Sequence, residues 1–156
     1  MLTTLCYIDQ NDAYLMLHRN KKENDINKNK WIGIGGKFET DESPDEAMIR
    51  EVYEETGLTI LEYQFRGIVT FSYNGKTEYM HVFTSNHIGG ELKECNEGTL
   101  AWVKKKDVFD LNLWQGDRIF LKLLLETKEF FSLKLIYQGD YLKQAILNNK
   151  EILHEK

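Results

Sequence analysis

Residues 36–58 read GKFETDESPDEAMIREVYEETGL and carry the most constrained pattern of the chain. Ser43 followed by Pro44 is typical of a helix N-cap with proline at the first helical position. Gly57 is typical of the left-handed residue on which a helix ends. The stretch therefore predicts one helix over residues 44–56, with a local signal at each end.

Three glutamates share one face of this predicted helix. At about 100° per residue, Glu51, Glu54 and Glu55 fall within an arc of roughly 100°. Like charges at this spacing weaken an isolated helix by a few tenths of a kcal/mol per pair. Mg²⁺ would turn that repulsion into coordination, because it takes oxygen ligands and shares its shell with phosphates. The pattern predicts a metal site, whereas a solvated acidic face is the simpler interpretation of an isolated E-x-x-E-E.

The constrained spacing extends beyond these acids. The frame Gly-x5-Glu-x7-Arg-Glu-Val-x-Glu-Glu-x-Gly-Leu runs from Gly36 to Leu58 and resembles the Nudix box at every defined position. The segment WIGIGGK at residues 31–37 and the segment around Trp114 are similar to the MutT-like group of that family. The resemblance implies a hydrolase of nucleoside diphosphates linked to another moiety, with Mg²⁺ or possible Mn²⁺ as the cofactor.

The composition is that of a folded chain with an acidic balance. Its 156 residues are 42% hydrophobic and 12% aromatic, which predicts a single domain over residues 1–156. The net charge of −5 argues against a nucleic acid polymer as partner, since a polymer needs a basic surface. A small nucleotide is the expected partner, and the oligomeric state stays open.

The cysteines and the N-terminal residues indicate the cellular compartment of the protein. Cys6 and Cys95 lack the C-x-x-C spacing of a zinc or redox site, and two isolated thiols are typical of a reducing compartment. The opening residues have neither a basic region nor a long apolar run, and no stretch reaches the ~18 apolar residues of a membrane span. We therefore expect a cytoplasmic protein with no signal peptide and no membrane segment.

Mixed strands and two helices predict an α/β fold. Apolar alternation and turn signals predict strands over 2–9, 13–19, 60–73, 78–88, 100–103, 130–137 and 141–147. Residues 20–30 (NKKENDINKNK) predict a flexible polar loop, and apolar spacing over 117–128 predicts a second helix. The Nudix resemblance implies the same architecture, an α/β/α sandwich with a mixed β-sheet.

The resemblance also implies a set of metal ligands. In the family, the carbonyl of the glycine before the box and the box glutamates hold the metal, with a further glutamate five residues before a tryptophan. The implied metal ligands are Gly35, Glu51, Glu54, Glu55 and Glu97. For the last position Glu94 is the rival, and a solvated loop acid is the structural alternative.

Hydrolysis of a phosphate chain needs charge neutralisation and a positioned water, and metal ions supply both. A nearby carboxylate can accept the proton of that water, and Glu51 is favoured over Glu54 and Glu55 for this role. Arg50 lies at the flank of the acidic arc. We expect it to orient a glutamate through a charge-assisted hydrogen bond.

A nucleotide pocket is implied as well. The substrate-binding residues that follow from the resemblance are Arg19, Gly35, Gly36, Lys37, Trp114 and Asp117. Trp114 is expected to stack on a base at the pocket mouth with little part in stability, although a core position is the commoner role of Trp. Asp117 either reads the base edge or caps the second helix. Arg19 either contacts phosphate or is a plain surface residue.

The leading predicted activity is Mg²⁺-dependent hydrolysis of oxidised purine nucleotides such as 8-oxo-dGTP to the monophosphate and pyrophosphate. In relatives with that activity, a Trp-Pro-Asp-Asp segment reads the base, and residues 114–117 (WQGD) match it with Gly116 in place of one acid. Ile32 also replaces an Asn, which predicts looser base discrimination. The alternatives are a nucleotide sugar, an RNA 5′ end, or a non-catalytic ligand sensor, against which the retained box glutamates argue.

Overall fold

The computed structural model describes residues 1–155 as nine strands, two α-helices and one 3-10 helix. In chain order they are β1 Leu2–Gln10, β2 Ala13–His18, β3 Trp31–Ile32, α1 Pro44–Thr56, β4 Leu58–Tyr73, β5 Lys76–Gly90, β6 Thr99–Lys104, the 3-10 helix Lys105–Asp110, α2 Gln115–Glu126, β7 Phe131–Gln138, β8 Tyr141–Leu147 and β9 Lys150–His154.

The larger part of the sheet has the order β1-β5-β4-β7-β8-β9. β1 is parallel to β5 and β4 is parallel to β7, while the other neighbours are antiparallel. β3, β2 and β6 form an antiparallel group that joins β1 only beside the turn, at Asp9↔Tyr14 and Gln10↔Ala13. The sheet is therefore mixed, as predicted.

Strand β1 divides the interior into two cores because successive side chains point to opposite faces. Leu5 and Tyr7 belong to one core, and Cys6 and Ile8 belong to the other. The first core is closed by apolar side chains of α2, which are Phe120, Leu121 and Leu124. The second is closed by those of α1, which are Met48 and Val52. The two helices thus cover opposite faces, and the predicted α/β/α sandwich is confirmed.

Helix α1 begins and ends where the sequence predicts. The Ser43 Oγ accepts from the backbone N–H of Glu46 at 3.1 Å, and the Ser43 N–H donates to a Glu46 carboxylate oxygen at 3.0 Å. At the other end Gly57 has φ 79° and donates its N–H to the Tyr53 carbonyl at 2.9 Å. These caps satisfy backbone groups that a helix end leaves unpaired, so the helix carrying the acids is held at both termini.

Several elements differ from the sequence predictions. α2 begins at Gln115, two residues before its predicted start. The 3-10 helix and β9 were not predicted from the sequence. Residues 20–30 form hydrogen-bonded turns, with the Lys28 N–H donating to the Asp25 carbonyl at 2.9 Å. Polar composition alone predicts a loop there, but it does not reveal these turn contacts. No helix within residues 1–155 is long and apolar enough to cross a membrane.

Candidate active site

The glycine-rich segment before α1 runs along the edge of β1. The Thr4 N–H donates to the Gly36 carbonyl at 2.9 Å, and the Ile34 N–H donates to the Cys6 carbonyl at 3.0 Å. Gly35 lies between these two pairs. Because backbone groups of successive residues in an extended segment point alternately toward and away from the neighbouring strand, the Gly35 carbonyl points away from β1. A Cβ at Gly35 would lie 1.8 Å from the Thr4 carbonyl oxygen, so the close approach of the two chains requires glycine there.

Gly36 places this segment against the acidic face of α1. A Cβ at Gly36 would lie 2.6 Å from both Cδ and Oε2 of Glu51. The Glu51 carboxylate therefore rests on the bare backbone of the glycine, and its side chain is only 16% exposed. Burial raises the pKa of Glu51 above its usual value, although Arg50 opposes the effect. A raised pKa makes this carboxylate a better proton acceptor.

This contact leads to a prediction for Gly36→Ala. The added methyl group must displace the Glu51 carboxylate, and a misplacement of about 1 Å can lower turnover about 100-fold. The fold should survive, because the clashing atoms end a flexible side chain and are not backbone atoms. Turnover and the thermal midpoint should be measured together. Normal turnover in a folded Gly36→Ala protein would contradict the catalytic placement of Glu51.

Arg50 contacts two members of the acidic cluster, which comprises Glu51, Glu54 and Glu55 of α1 together with Glu97. Its guanidinium donates to Glu42 at 2.7 and 2.9 Å, to Glu51 at 2.8 Å and to Glu54 at 3.1 Å. A further N–H donates to the Lys37 carbonyl at 3.0 Å. These bonds raise the pKa of Arg50 and hold the chain before the helix against the helix itself. Arg50 thus contacts Glu51 directly and is itself held by Glu42, and its role in orienting a catalytic glutamate stays a prediction.

Glu55 is the most deeply buried acid of the cluster and lies beside Glu97. Desolvation by burial, followed by the nearby Glu97 carboxylate and the charge of Glu51, raises the pKa of Glu55 well above the usual carboxyl range. Burial acts on Glu97 in the same direction, but the neighbouring Glu55 carboxyl group and the cations Arg19 and Lys22 outweigh it and lower the pKa of Glu97. A proton held on Glu55 therefore relieves the repulsion of two carboxylates.

These acids suit a hard divalent cation, although they are not preassembled around one. Among residues 1–155, no three His, Cys, Asp or Glu side chains are grouped as a ready cluster of metal ligands, and Arg50 engages both Glu51 and Glu54. Glu55 Oε2 is buried and has no hydrogen-bond partner in the described chain. An orphaned carboxylate oxygen beside two further acids is a donor set that a cation would satisfy. Glu54 is half exposed, and Glu94 is exposed.

The six residues implied as substrate-binding line one cavity of about 190 Å³, whose lining includes Arg19, Gly35, Gly36, Lys37, Trp114 and Asp117. The glycines are shared with the acidic cluster, so the cavity and the acids meet at this segment. A larger cavity of about 490 Å³ lies near the end of α2 around Arg66, and none of the predicted site residues lines it. The chemistry therefore points to the smaller cavity.

Trp114 is a core residue as well as a wall of the cavity. Its side chain is 2% exposed and packs edge-on against Phe71, Tyr73 and Tyr137, with ring centroids 5.2–5.7 Å apart. The indole Nε1–H donates to Asn27 Oδ1 at 2.7 Å. The expectation that Trp114 contributes little to stability is therefore wrong, because removing this ring would open a void among three aromatic neighbours.

Asp117 does not cap the second helix. The N-cap of α2 is Trp114, three residues earlier, and Asp117 lies inside the first turn with 4% of its surface exposed. The cap hypothesis is wrong because the helix starts before the predicted residue. Burial raises the pKa of Asp117 to about 8, with Lys30 opposing and Glu78 reinforcing the shift. Much of this carboxyl group is thus protonated at neutral pH and can donate a hydrogen bond.

Arg19 is not a plain surface residue. Its side chain is 15% exposed, and it pairs with Asp25 at 2.7 Å and with Glu97 at 3.2 Å. It therefore lies between the 20–30 segment and Glu97, and it also lines the smaller cavity. The interpretation of Arg19 as a phosphate contact stays a prediction.

Comparison with known proteins identifies the family. A family model described as the NUDIX domain matches residues 1–124, so the chain belongs to the Nudix family. It is a MutT-like hydrolase that acts on phosphoric anhydride bonds. Members of the family generally use divalent metal ions and bind small nucleotides.

Individual relatives narrow the comparison. The oxidized purine nucleoside triphosphate hydrolase of Danio rerio is 31% identical over 134 residues, which are 85% of this chain and 86% of the relative. The enzyme of the same name from Mus musculus is 30% identical over 111 residues, or 70% of this chain and 71% of the relative. The crystal structure of a MutT protein from Bacillus halodurans superposes with a TM-score of 0.84 and 28% identity, covering 94% of this chain and 97% of that one.

The structure adds residues that sequence reasoning did not find. Asn27, Ile26, Met80 and Glu78 line the same cavity as Trp114. Asn27 falls in a low-information polar run, and Glu78 follows a hairpin turn where a solvated acid is the ordinary expectation. No local pattern marks either residue, because each reaches the cavity through long-range packing.

Proposed function

We propose that this protein is a Mg²⁺-dependent pyrophosphohydrolase of oxidised purine nucleoside triphosphates such as 8-oxo-dGTP, releasing the monophosphate and pyrophosphate. The observation that carries the proposal is the junction at Gly35 and Gly36, where a base-sized cavity opens beside the acidic cluster of α1. In the cell this activity would clear damaged nucleotides from the cytoplasmic pool, with one domain over residues 1–156 as the unit.

The size of the cavity supports a role in holding the base alone. Its volume of about 190 Å³ is below the roughly 300–1,000 Å³ typical of sites that enclose a whole ligand. The base would lie between Trp114 and Asp117, and the phosphates would extend past Gly35 and Gly36 toward α1. Arg19 and Lys37, which line the same cavity, would offer positive charge along that path.

The acidic residues would have two roles in hydrolysis, metal binding and proton acceptance. Glu54, Glu55 and Glu97, with the Gly35 carbonyl, would hold the cation together with Glu51. When bound, Mg²⁺ supplies charge neutralisation at the phosphate oxygens. Glu51 accepts the proton of the attacking water, and its raised pKa suits that role. Arg50 keeps the Glu51 carboxylate in place through the 2.8 Å bond.

A substrate panel tests the proposal. Pyrophosphate release should be measured under one metal condition for 8-oxo-dGTP, dGTP, dATP and dCTP, with an ADP-sugar and a 5′-triphosphorylated RNA as further arms. We expect the highest kcat/KM for 8-oxo-dGTP. An equal value for dGTP would remove the oxidised base from the proposal, and a higher value for the sugar or the RNA would replace the substrate class.

Asp117→Asn tests the base-reading carboxyl group. Asn keeps the volume but cannot ionise, so we expect changed selectivity in the panel, because a site built to bond a polar edge penalises a mismatch strongly. Asp117 keeps its proton up to about pH 8 in the folded protein but only up to about pH 4 when unfolded. Its contribution to stability is therefore full below pH 4 and is lost as the pH rises toward 8.

The pH profile of unfolding separates the two roles of Asp117. The free energy of unfolding should fall less between pH 4 and pH 8 in Asp117→Asn than in the wild-type protein. Unchanged selectivity together with a flattened profile would mean that Asp117 is buried but the base is read elsewhere.

A further inference from the structure

Position 116 has no room for a side chain. A Cβ at Gly116 would lie 2.4 Å from Leu135 Cδ1 and 2.7 Å from Tyr137 Oη. The Gly116 N–H already donates to that hydroxyl at 2.7 Å. An acid beside Asp117 on α2 is therefore excluded by packing, so a second acid in this cavity must come from another element.

Glu78 on β5 is such an acid. It lines the cavity together with Asp117 and is half-buried. In the sheet it pairs with Phe71, whose ring contacts Trp114, so Glu78 enters from the side of the sheet and Asp117 from the side of α2. The two carboxyl groups are close enough that the charge of Glu78 helps to raise the pKa of Asp117.

One hydrogen bond orients the Glu78 carboxylate. Its Oε2 accepts from the Thr3 hydroxyl at 2.7 Å, and Thr3 is buried at the edge of the same cavity. A carboxylate in this position accepts hydrogen bonds and cannot donate them while ionised. The protonated Asp117 can donate. The cavity thus presents one donor and one acceptor carboxyl group to whatever it binds.

We propose that Glu78 is a specificity-determining residue that accepts a hydrogen bond from the base, so that the cavity selects guanine-type purines. Guanine and its 8-oxo form present an acceptor, O6, next to a donor, N1–H, which the Asp117 and Glu78 pair complements. Adenine has an acceptor at N1, and that atom would face the Glu78 carboxylate unpaired. The inference rests on the proposed nucleotide site and adds the class of base.

Glu78→Gln is the variant that tests this role. The Gln amide oxygen can still accept from Thr3, so the local contact survives while the acceptor charge is lost. Binding of 8-oxo-dGMP, dGMP and dAMP should be measured by calorimetry, with kcat/KM measured for the matching triphosphates. We expect binding of both guanine nucleotides to weaken at least about tenfold, as is typical of losing a hydrogen bond to a charged group. Binding of dAMP should stay constant or tighten, because the Gln amide N–H can donate to adenine N1.

Glu129→Gln is the matched control, because Glu129 is exposed between α2 and β7 and lies outside the cavity. It should leave every affinity unchanged. Equal losses for all bases, or unchanged guanine selectivity in Glu78→Gln, would overturn the inference. The thermal midpoint of Glu78→Gln is an independent test. A purely structural role of Glu78 would lower this midpoint without altering the ratio of the affinities for guanine and adenine nucleotides.

The wild-type panel keeps the two proposals distinguishable. If wild-type protein shows no preference for the oxidised base while Glu78→Gln still loses guanine selectivity, the substrate proposal fails and the role of Glu78 stands. If wild-type protein prefers 8-oxo-dGTP and Glu78→Gln behaves as wild type, the substrate proposal stands and Glu78 is not a base contact.

Discussion

Glu54→Gln and Glu55→Gln should each lower turnover at least about 100-fold, the scale of removing one electrostatic stabiliser from a transition state. Both acids lie on the face of α1 that adjoins the Gly35–Gly36 segment, and Gln keeps their volume while removing a charged ligand. Glu55 is the sharper case, because its buried Oε2 has no partner in residues 1–155 and a cation is the group that would use it.

Folding of these two variants should not suffer. Gln at position 54 relieves repulsion among the acids of α1, and Gln at position 55 resembles the protonated carboxyl group that burial already favours, so the free energy of unfolding should stay constant or rise. Glu126→Gln, at an exposed position of α2, is the matched control and should keep full turnover. The metal requirement should be followed separately by calorimetric titration of Mg²⁺. Near-normal turnover in both site variants would contradict the assignment of the acidic cluster.

Trp114→Ala should destabilise the fold and weaken nucleotide binding at once. Truncating a fully buried aromatic side chain typically costs about 3–5 kcal/mol of unfolding free energy. If the ring also stacks on the base, the affinity for the nucleotide should fall about 5- to 150-fold, the equivalent of about 1–3 kcal/mol of binding free energy. Denaturant unfolding and calorimetric binding of 8-oxo-dGMP, both below the thermal midpoint of the variant, measure the two effects.

Trp114→Phe separates packing from base contact. Phe retains much of the contact with Phe71 and Tyr137 but loses the indole bond to Asn27. We expect a smaller loss of stability than in the alanine variant and a partial loss of affinity. Unaltered affinity in folded Trp114→Ala protein would leave Trp114 as a core residue only.

Helix α1 and its acids could be predicted because their signals are local. Ser43, Pro44 and Gly57 act within a few residues of the groups they cap, and the face shared by Glu51, Glu54 and Glu55 follows from the helical period alone. The fold class was predictable for the same reason, since strand alternation and turn residues are read in short windows. The family resemblance then supplied the expected roles of these residues.

The second helix shows where local signals stop. Its start at Gln115 puts Asp117 inside the first turn, so the cap hypothesis was wrong, and its packing makes Trp114 a core residue. Neither the start of α2 nor the burial of Trp114 is determined by the neighbouring residues of the sequence alone. Burial is decided by what the sheet brings opposite a side chain, and Phe71 and Tyr137 come from distant strands.

The helix with its acids, the mixed α/β architecture and the membership in the Nudix family could all be predicted from the amino-acid sequence. The surroundings of the cavity could not, because they depend on long-range contacts. Glu78 bonds Thr3 across 75 positions of the chain, and Trp114 bonds Asn27 across 87. Contacts of that separation depend on strand order and register, which no short stretch encodes, so the groups that line the cavity come together only when the sheet is assembled.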